Sequence, residues 1–113
     1  MVKITTFNIK QGEAKRLKFT IKQDNSPLDC STGDCSFTVK RDKGQDDSII
    51  NKIDMDFDKS EAEQGILYLT LYGDDTNIDP DIYQSELRIE FSLSSILKSN
   101  DIVIKIVQAV NPL

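Results

Sequence analysis

The stretch that decides the fold is Glu86-Leu87-Arg88-Ile89-Glu90-Phe91-Ser92-Leu93. Leu87, Ile89, Phe91 and Leu93 recur at every second position, and Glu86, Arg88, Glu90 and Ser92 stand between them. Side chains of an extended strand point to opposite faces in turn, so this spacing makes one apolar face and one wet face. A helix would scatter the same residues around its axis. One dry face and one wet face is the mark of an antiparallel sheet packed on a single side.

Outward from that stretch the same period returns. Leu17, Phe19 and Ile21 alternate with Lys18, Thr20 and Lys22 within residues 15–23. Phe37 and Val39 alternate with Thr38 and Lys40. Ile53, Met55 and Phe57 alternate with Asp54, Asp56 and Asp58, which predicts a strand whose outer face carries three carboxylates. Leu67, Leu69 and Leu71 oppose Tyr68, Thr70 and Tyr72, and Ile102, Ile104 and Ile106 oppose Val103, Lys105 and Val107. A further strand is expected over residues 4–9. Helical turns are allowed at residues 59–64, which carry no apolar stripe, and at residues 94–98.

Turn chemistry separates these segments. Asp24-Asn25-Ser26-Pro27, Ser31-Thr32-Gly33-Asp34, Asp42-Lys43-Gly44-Gln45 and Asp79-Pro80-Asp81 all combine residues that bend the chain, and Gly65 stands just before the Leu67 strand. The composition agrees: 14 Ile, 5 Val and 7 Thr favour strands, against 3 Ala. The expected fold is all-β, an immunoglobulin-like antiparallel β-sandwich of about seven strands, with a small barrel as the runner-up. No repeat, linker or low-complexity tract divides the 113 residues, so a single domain over residues 1–113 is expected.

Composition also narrows the chemistry. Without His there is no Ser-His-Asp triad, no Cys-His pair and no His-ligated zinc. No Gly-rich phosphate loop, nucleophile elbow or Ser-x-x-Lys motif occurs. An enzyme is not expected, and neither is a cofactor or a structural metal. The formal charge of −5 argues against a nucleic-acid partner. Its distribution is uneven: residues 1–41 hold eight basic and four acidic residues, and the rest hold six and fifteen. No leader or membrane span is visible, so a cytoplasm-like compartment and no membrane partner are expected.

Four groups invite a functional reading. Asp54-x-Asp56-x-Asp58 opens like a calcium loop, but Lys59 stands where Gly is needed and Gly65 where Glu is needed. Asp74, Asp75, Asp79 and Asp81 crowd one loop, where calcium ligation competes with ordinary turn bonding, the favoured reading. Cys30 and Cys35 flank a turn and read as free, partly buried thiols rather than a disulfide or a nucleophile, since Asp29 and Asp34 beside them oppose thiolate formation. Asp79-x-x-x-Tyr83-x-Ser85 has the spacing of a tyrosine corner, with Ser85 at the place of the usual second bridge cysteine. A Tyr that merely begins a core strand explains Tyr83 equally well.

Several stretches together resemble a known family. Phe7-Asn8-Ile9-Lys10-Gln11-Gly12-Glu13 leads into the Leu17 strand, and Pro27-Leu28-Asp29-Cys30-Ser31-Thr32-Gly33 leads into the Phe37 strand. Gly65-Ile66-Leu67-Tyr68-Leu69-Thr70-Leu71, then Asp75-Thr76, then Ile82-Tyr83-Gln84-Ser85-Glu86-Leu87 complete the series. In order and spacing this set resembles the immunoglobulin-like N-terminal domain of phage baseplate upper proteins and related phage or prophage tail proteins of Gram-positive hosts. Departures are Cys30 where Leu is usual, Asp81-Ile82 where a Gly is common before the Tyr, and a closing hairpin over residues 93–101 without the usual Gly.

The resemblance implies a virion structural protein, a tail or baseplate assembly module that docks on other tail proteins and on its own copies. It implies no catalytic site. The chain has room for one sandwich and no appended receptor-binding head, so a connector is expected. Localisation in the virion, and in the host cytoplasm during assembly, follows from the same likeness. Gly12, Gly33 and Gly65 suit its turns, and Tyr83 suits its corner. Tyr68 and Tyr72, projecting from one strand face, are the candidate interface residues, since aromatics are enriched at interfaces. They also allow a second reading, a small carbohydrate-binding or adhesion module with the rings stacked on sugars. A hydrolase working through Asp/Glu pairs is a distant third.

Overall fold

The computed structural model describes residues 5–41 and 49–108. The strands are β1 (Thr5–Lys10), β2 (Lys15–Thr20), β3 (Lys22–Gln23), β4 (Ser26–Pro27), β5 (Asp34–Lys40), β6 (Ile50–Lys52), β7 (Phe57–Asp58), β8 (Ile66–Leu71), β9 (Asp81–Ser92) and β10 (Ser95–Val107). Short helical turns lie at Asp54–Asp56, Ala62–Gln64 and Gly73–Thr76. The predicted turn at residues 42–45, and Ile4 of the expected first strand, lie outside the described residues.

Two sheets make the domain. One runs β1-β10-β9-β5-β6 and the other β2-β8-β7, while β3 and β4 form a small separate hairpin. Their apolar faces meet in one core of Ile9, Leu17, Phe19, Phe37, Val39, Leu67, Leu69, Leu71, Leu87, Ile89, Ile104 and Ile106 among others. Phe19 of the smaller sheet packs on Phe37 of the larger at a centroid distance of 5.4 Å, which pins one sheet to the other. Among the described residues the fold is all-β, a sandwich of two distinct sheets rather than a closed barrel.

The β9 strand fulfils its pattern. Tyr83, Ser85, Leu87 and Ile89 are buried, with half-covered Gln84, Glu86, Arg88 and Glu90 between them. It is central because both edges are used: Phe37 of β5 lies opposite Leu87, and Ile104 of β10 lies opposite Tyr83. The alternation ends at Leu93, which is 92% exposed in the tight turn to β10.

Three expectations need correction. Residues 53–56 are not a strand: Asp54–Asp56 form a 3-10 turn, and of the three apolar residues only Phe57, which opens β7, enters the core. The cause is side-chain competition, since the Ile53 N–H donates to Asp56 Oδ2 at 2.9 Å and the Cys35 N–H donates to Asp54 Oδ1 at 2.9 Å. Residues 94–98 form no helical turn: Ser94 lies in the tight turn after β9, and Ser95–Lys98 open β10, where Leu97 lies opposite Ile89. The sandwich is also not wholly antiparallel, because β1 runs parallel to β10 with Thr5 opposite Ile102. Among the described residues the two sheets together hold eight strands, against about seven expected.

The turns show why particular residues stand where they do. Asp24 and Asn25 both have positive φ, 53° and 66°, which closes the β3–β4 hairpin as a two-residue turn and moves Pro27 into β4. Gly65 has φ 75°, and a Cβ there would lie 2.4 Å from the Ile21 carbonyl oxygen. Both facts demand glycine. Gly33 has no such backbone demand, but its Cβ would meet Ile89 Cγ2 at 2.4 Å.

Candidate interaction surface

The outer face of the smaller sheet holds the first candidate. Tyr68 stands on β8 opposite Lys18 of β2 on one side and Asp58 of β7 on the other. Arg16 reaches across this row. Its guanidinium sits 4.1 Å above the Tyr68 ring, and its Nη2 donates to Asp58 Oδ2 at 2.9 Å. The Glu61 carboxylate, and then partial burial, push the Tyr68 phenol above its ordinary pKa. Asp58 is held below the usual carboxylate range, chiefly by the Ser60 N–H and hydroxyl and then by Arg16. The Arg16–Asp58 pair is about half exposed on both sides, so it contributes little to stability. What it fixes is geometry: one face of the Tyr68 ring is already covered.

Tyr72 has different surroundings. It lies one residue beyond β8, and its N–H donates to Asp75 Oδ2 at 2.8 Å, which starts the Gly73–Thr76 turn. Lys52 Nζ bonds Asp75 at 2.9 Å and lies 5.9 Å from the Tyr72 ring centre. The ring itself is 63% exposed. Tyr68 sits in an Arg16–Asp58–Glu61 cluster and Tyr72 beside Lys52 and Asp75, so the two rings do not share one set of neighbours.

The Asp-rich loop combines local turn bonds with ion pairs to residues distant in the chain. Asp75 binds Tyr72 N–H and Lys52, Asp81 accepts from the Ile82 N–H at 2.8 Å, and Asp79 Oδ2 meets Arg41 at 3.3 Å. Among the described residues, no group of three His, Cys, Asp or Glu side chains is arranged to hold a metal ion. No helix among them is long and apolar enough to cross a membrane.

Tyr83 is fully buried, and its hydroxyl donates to the Asp79 carbonyl oxygen four residues upstream at 2.5 Å. That is the bond of a tyrosine corner. Two residues on, the Ser85 hydroxyl donates to the Ile102 carbonyl at 2.6 Å, tying β9 to β10. Cys30 and Cys35 are both buried and unbonded to each other. Burial, then the Asp29 charge, raises the Cys30 thiol pKa; burial pushes Cys35 up to about 11, with Lys59 opposing. Neither thiol has thiolate character near neutral pH.

A feature that the strand pattern alone does not disclose is a groove of about 570 Å³ beside the start of β10. Leu28, Phe91, Ile96 and Leu97 supply its apolar surface, and Lys22 and Lys98 stand at its rim. Phe91 and Leu97 are visible in the sequence as apolar residues of strands, but nothing in their spacing says that they line an open channel.

No protein-family model matches the chain, and no curated protein matches it. Among solved structures the chain is similar to the extracellular domain of the voltage-gated sodium channel beta4 subunit, described as a parallel homodimer with a role in cell–cell adhesion. The identity is 11% and the TM-score 0.42, over 95% of this chain and 93% of that one.

Proposed function

We propose that this domain is an assembly module of a phage or prophage tail or baseplate, acting by protein–protein contact with other tail proteins and with its own copies. The observation that carries the reading is the ordered motif series together with the part each motif plays in the sandwich. Gly12 and Gly65 take positive φ in turns, Gly33 lies against Ile89, and Tyr83 forms the corner. The surface chemistry is compatible with docking. Apolar side chains at Met55, Ile53, Ile82 and Leu93 are more than half exposed. Such groups gain from burial against a partner.

The carbohydrate reading has less support. Stacking on a sugar needs an open ring face, and Arg16 covers one face of Tyr68. Tyr72 remains as the openly exposed ring. On the tail reading the protein resides in the virion, and in the bacterial cytoplasm while particles assemble. The test is composition of purified particles. Prophage induced from the source cells should yield tailed particles containing this chain in fixed ratio to the other tail proteins, by quantitative mass spectrometry. Particles that lack it overturn the reading.

A further inference from the structure

We infer that the outer face of the smaller sheet is a contact between two copies of this chain, paired about a two-fold axis that runs along β8. The observation is a cross-strand row: Lys18 of β2, Tyr68 of β8 and Asp58 of β7 stand side by side in register. Their neighbours along each strand, Leu17 and Phe19, Leu67 and Leu69, and Phe57, are buried, so all three members of the row point outward. Lys18 and Asp58 are exposed, and Tyr68 is half-covered. The chain outside the described residues joins β1, β5, β6 and β10, all in the other sheet. The three strands of this face, and the turns that lead into them, lie wholly within the described residues.

A two-fold axis makes a demand that this face meets. Residues on the axis meet their own copies, so a charge there would face its like; residues beside it meet those from the opposite side. The outward side chains of β8 are Ile66, Tyr68 and Thr70, and none is charged. On one side of them β2 presents Arg16 and Lys18, and on the other β7 presents Asp58. Rotation about β8 therefore lays Lys18 on Asp58 of the second copy and Asp58 on its Lys18, while Tyr68 meets Tyr68. The two sheets then stack with their strands aligned, about 10 Å apart. An axis running across the strands would instead set Lys18 on Lys18 and Asp58 on Asp58, which repulsion forbids.

Each member of the row has capacity for a second partner. Asp58 already accepts from Arg16 at 2.9 Å and from the Ser60 N–H at 3.0 Å, but a carboxylate has about four acceptor positions. Among the described residues Lys18 forms no ion pair. Arg16 covers one face of the Tyr68 ring at 4.1 Å and leaves the other to the second copy. A sheet of three strands, two of them six residues long, makes a patch of about 15 Å by 20 Å. That is less than the roughly 800 Å² a side of a stable complex, so the pair is weak in free solution and gains from the high local concentration of an assembly. The contact itself follows from the face alone; only its place in a tail or baseplate rests on the tail reading.

The experiment is sedimentation equilibrium of the whole chain up to about 1 mM, with amide shifts followed over the same range. A monomer–dimer equilibrium is expected, with shifts centred on Lys18, Tyr68 and Asp58. Lys18→Asp, at an exposed site, should weaken it at least about tenfold, and so should Asp58→Lys, because each sets like charges face to face across the axis. An equimolar mixture of the two variants should recover dimers, since each offers the other the charge it lacks, and no loss of folding mimics that rescue. If Asp58→Lys does not fold, Lys18→Asp alone decides. A parent that stays monomeric at about 1 mM, shifts elsewhere, Lys18→Asp dimerising like the parent, or a mixture of the folded variants no better than its components would overturn the inference. Particles that lack the protein would undo the tail reading and leave this contact standing. A chain present in particles but monomeric at about 1 mM would undo the contact and leave the tail reading standing.

Discussion

β9 and the connection between β6 and β7 carry comparable side chains and use them in opposite ways. In β9, Leu87 and Ile89 are buried and each has a strand on both sides. In the connection, Ile53 is 51% and Met55 81% exposed, and the backbone coils into a 3-10 turn. The polar partners differ. Glu and Arg between the apolar residues of β9 reach away from their own backbone. Asp54 and Asp56 have short carboxylates that accept N–H bonds from Cys35 and Ile53, and so offer the chain an alternative to the ladder. Neighbours matter as well: β9 is inserted between two strands, while β6 is a three-residue edge. Alternation becomes a strand where the sheet supplies partners and the intervening residues leave the backbone alone.

The sharpest way to break this contrast is to truncate Ile89. Ile89→Ala should cost about 3–4 kcal/mol in denaturant unfolding, the range for a buried aliphatic residue with little room to collapse. A loss below about 1 kcal/mol would mean that β9 is not the pillar of the core. Next comes Tyr83→Phe, which leaves the Asp79 carbonyl without its hydroxyl donor. About 1–2 kcal/mol is expected, with the native fold kept by NMR.

Asp54→Asn tests the carboxylate that replaces the strand. Partial burial raises the Asp54 pKa, but the Cys35 N–H and the Lys59 ammonium outweigh it and hold the group below its usual value. A depressed folded pKa gives stability that is present above the unfolded value, about 3.9, and is lost as pH falls through the lower folded value. The variant should therefore be weaker by about 1 kcal/mol near neutral pH, a figure kept small for its partial exposure. Thermal melts of the two proteins should begin to converge as the pH falls below the unfolded value of about 3.9 and meet once it has passed the lower folded one. A gap that widens in acid would contradict the assignment. The smallest effect belongs to Met55→Ala, within about 0.5 kcal/mol of the parent, because the side chain has little contact to lose.

Much of the sandwich is readable from residues alone. Leu17 and Phe19, Phe37 and Val39, Leu67 to Leu71, and Ile102 to Ile106 are buried as their period requires. The spacing of Asp79 and Tyr83 points to the corner bond. What escapes is whatever depends on partners distant in the chain. That Cys35 N–H would recruit Asp54 is a tertiary fact, and so is the parallel pairing of β1. Residues 94–98 lack alternation strong enough to announce a strand, and they become one because Ile89 and Arg88 stand opposite to receive them. Of the candidate site, Tyr68 and Tyr72 are visible as outward aromatics. Arg16 lying over one ring and Lys52 beside the other are not, because Arg16 and Lys52 belong to other strands.

The parallel pairing of β1 with β10 has a bearing on how the molecule comes into being. Thr5 finds its neighbour only when Ile102 exists, and Lys10 only when Val107 does. During synthesis the earliest strand must wait for the latest one, and in refolding this closure pays the loop entropy of nearly the whole chain before it is rewarded. The hairpin of β9 and β10 is local and can form early; the edge made by β1 belongs to the end of the folding reaction.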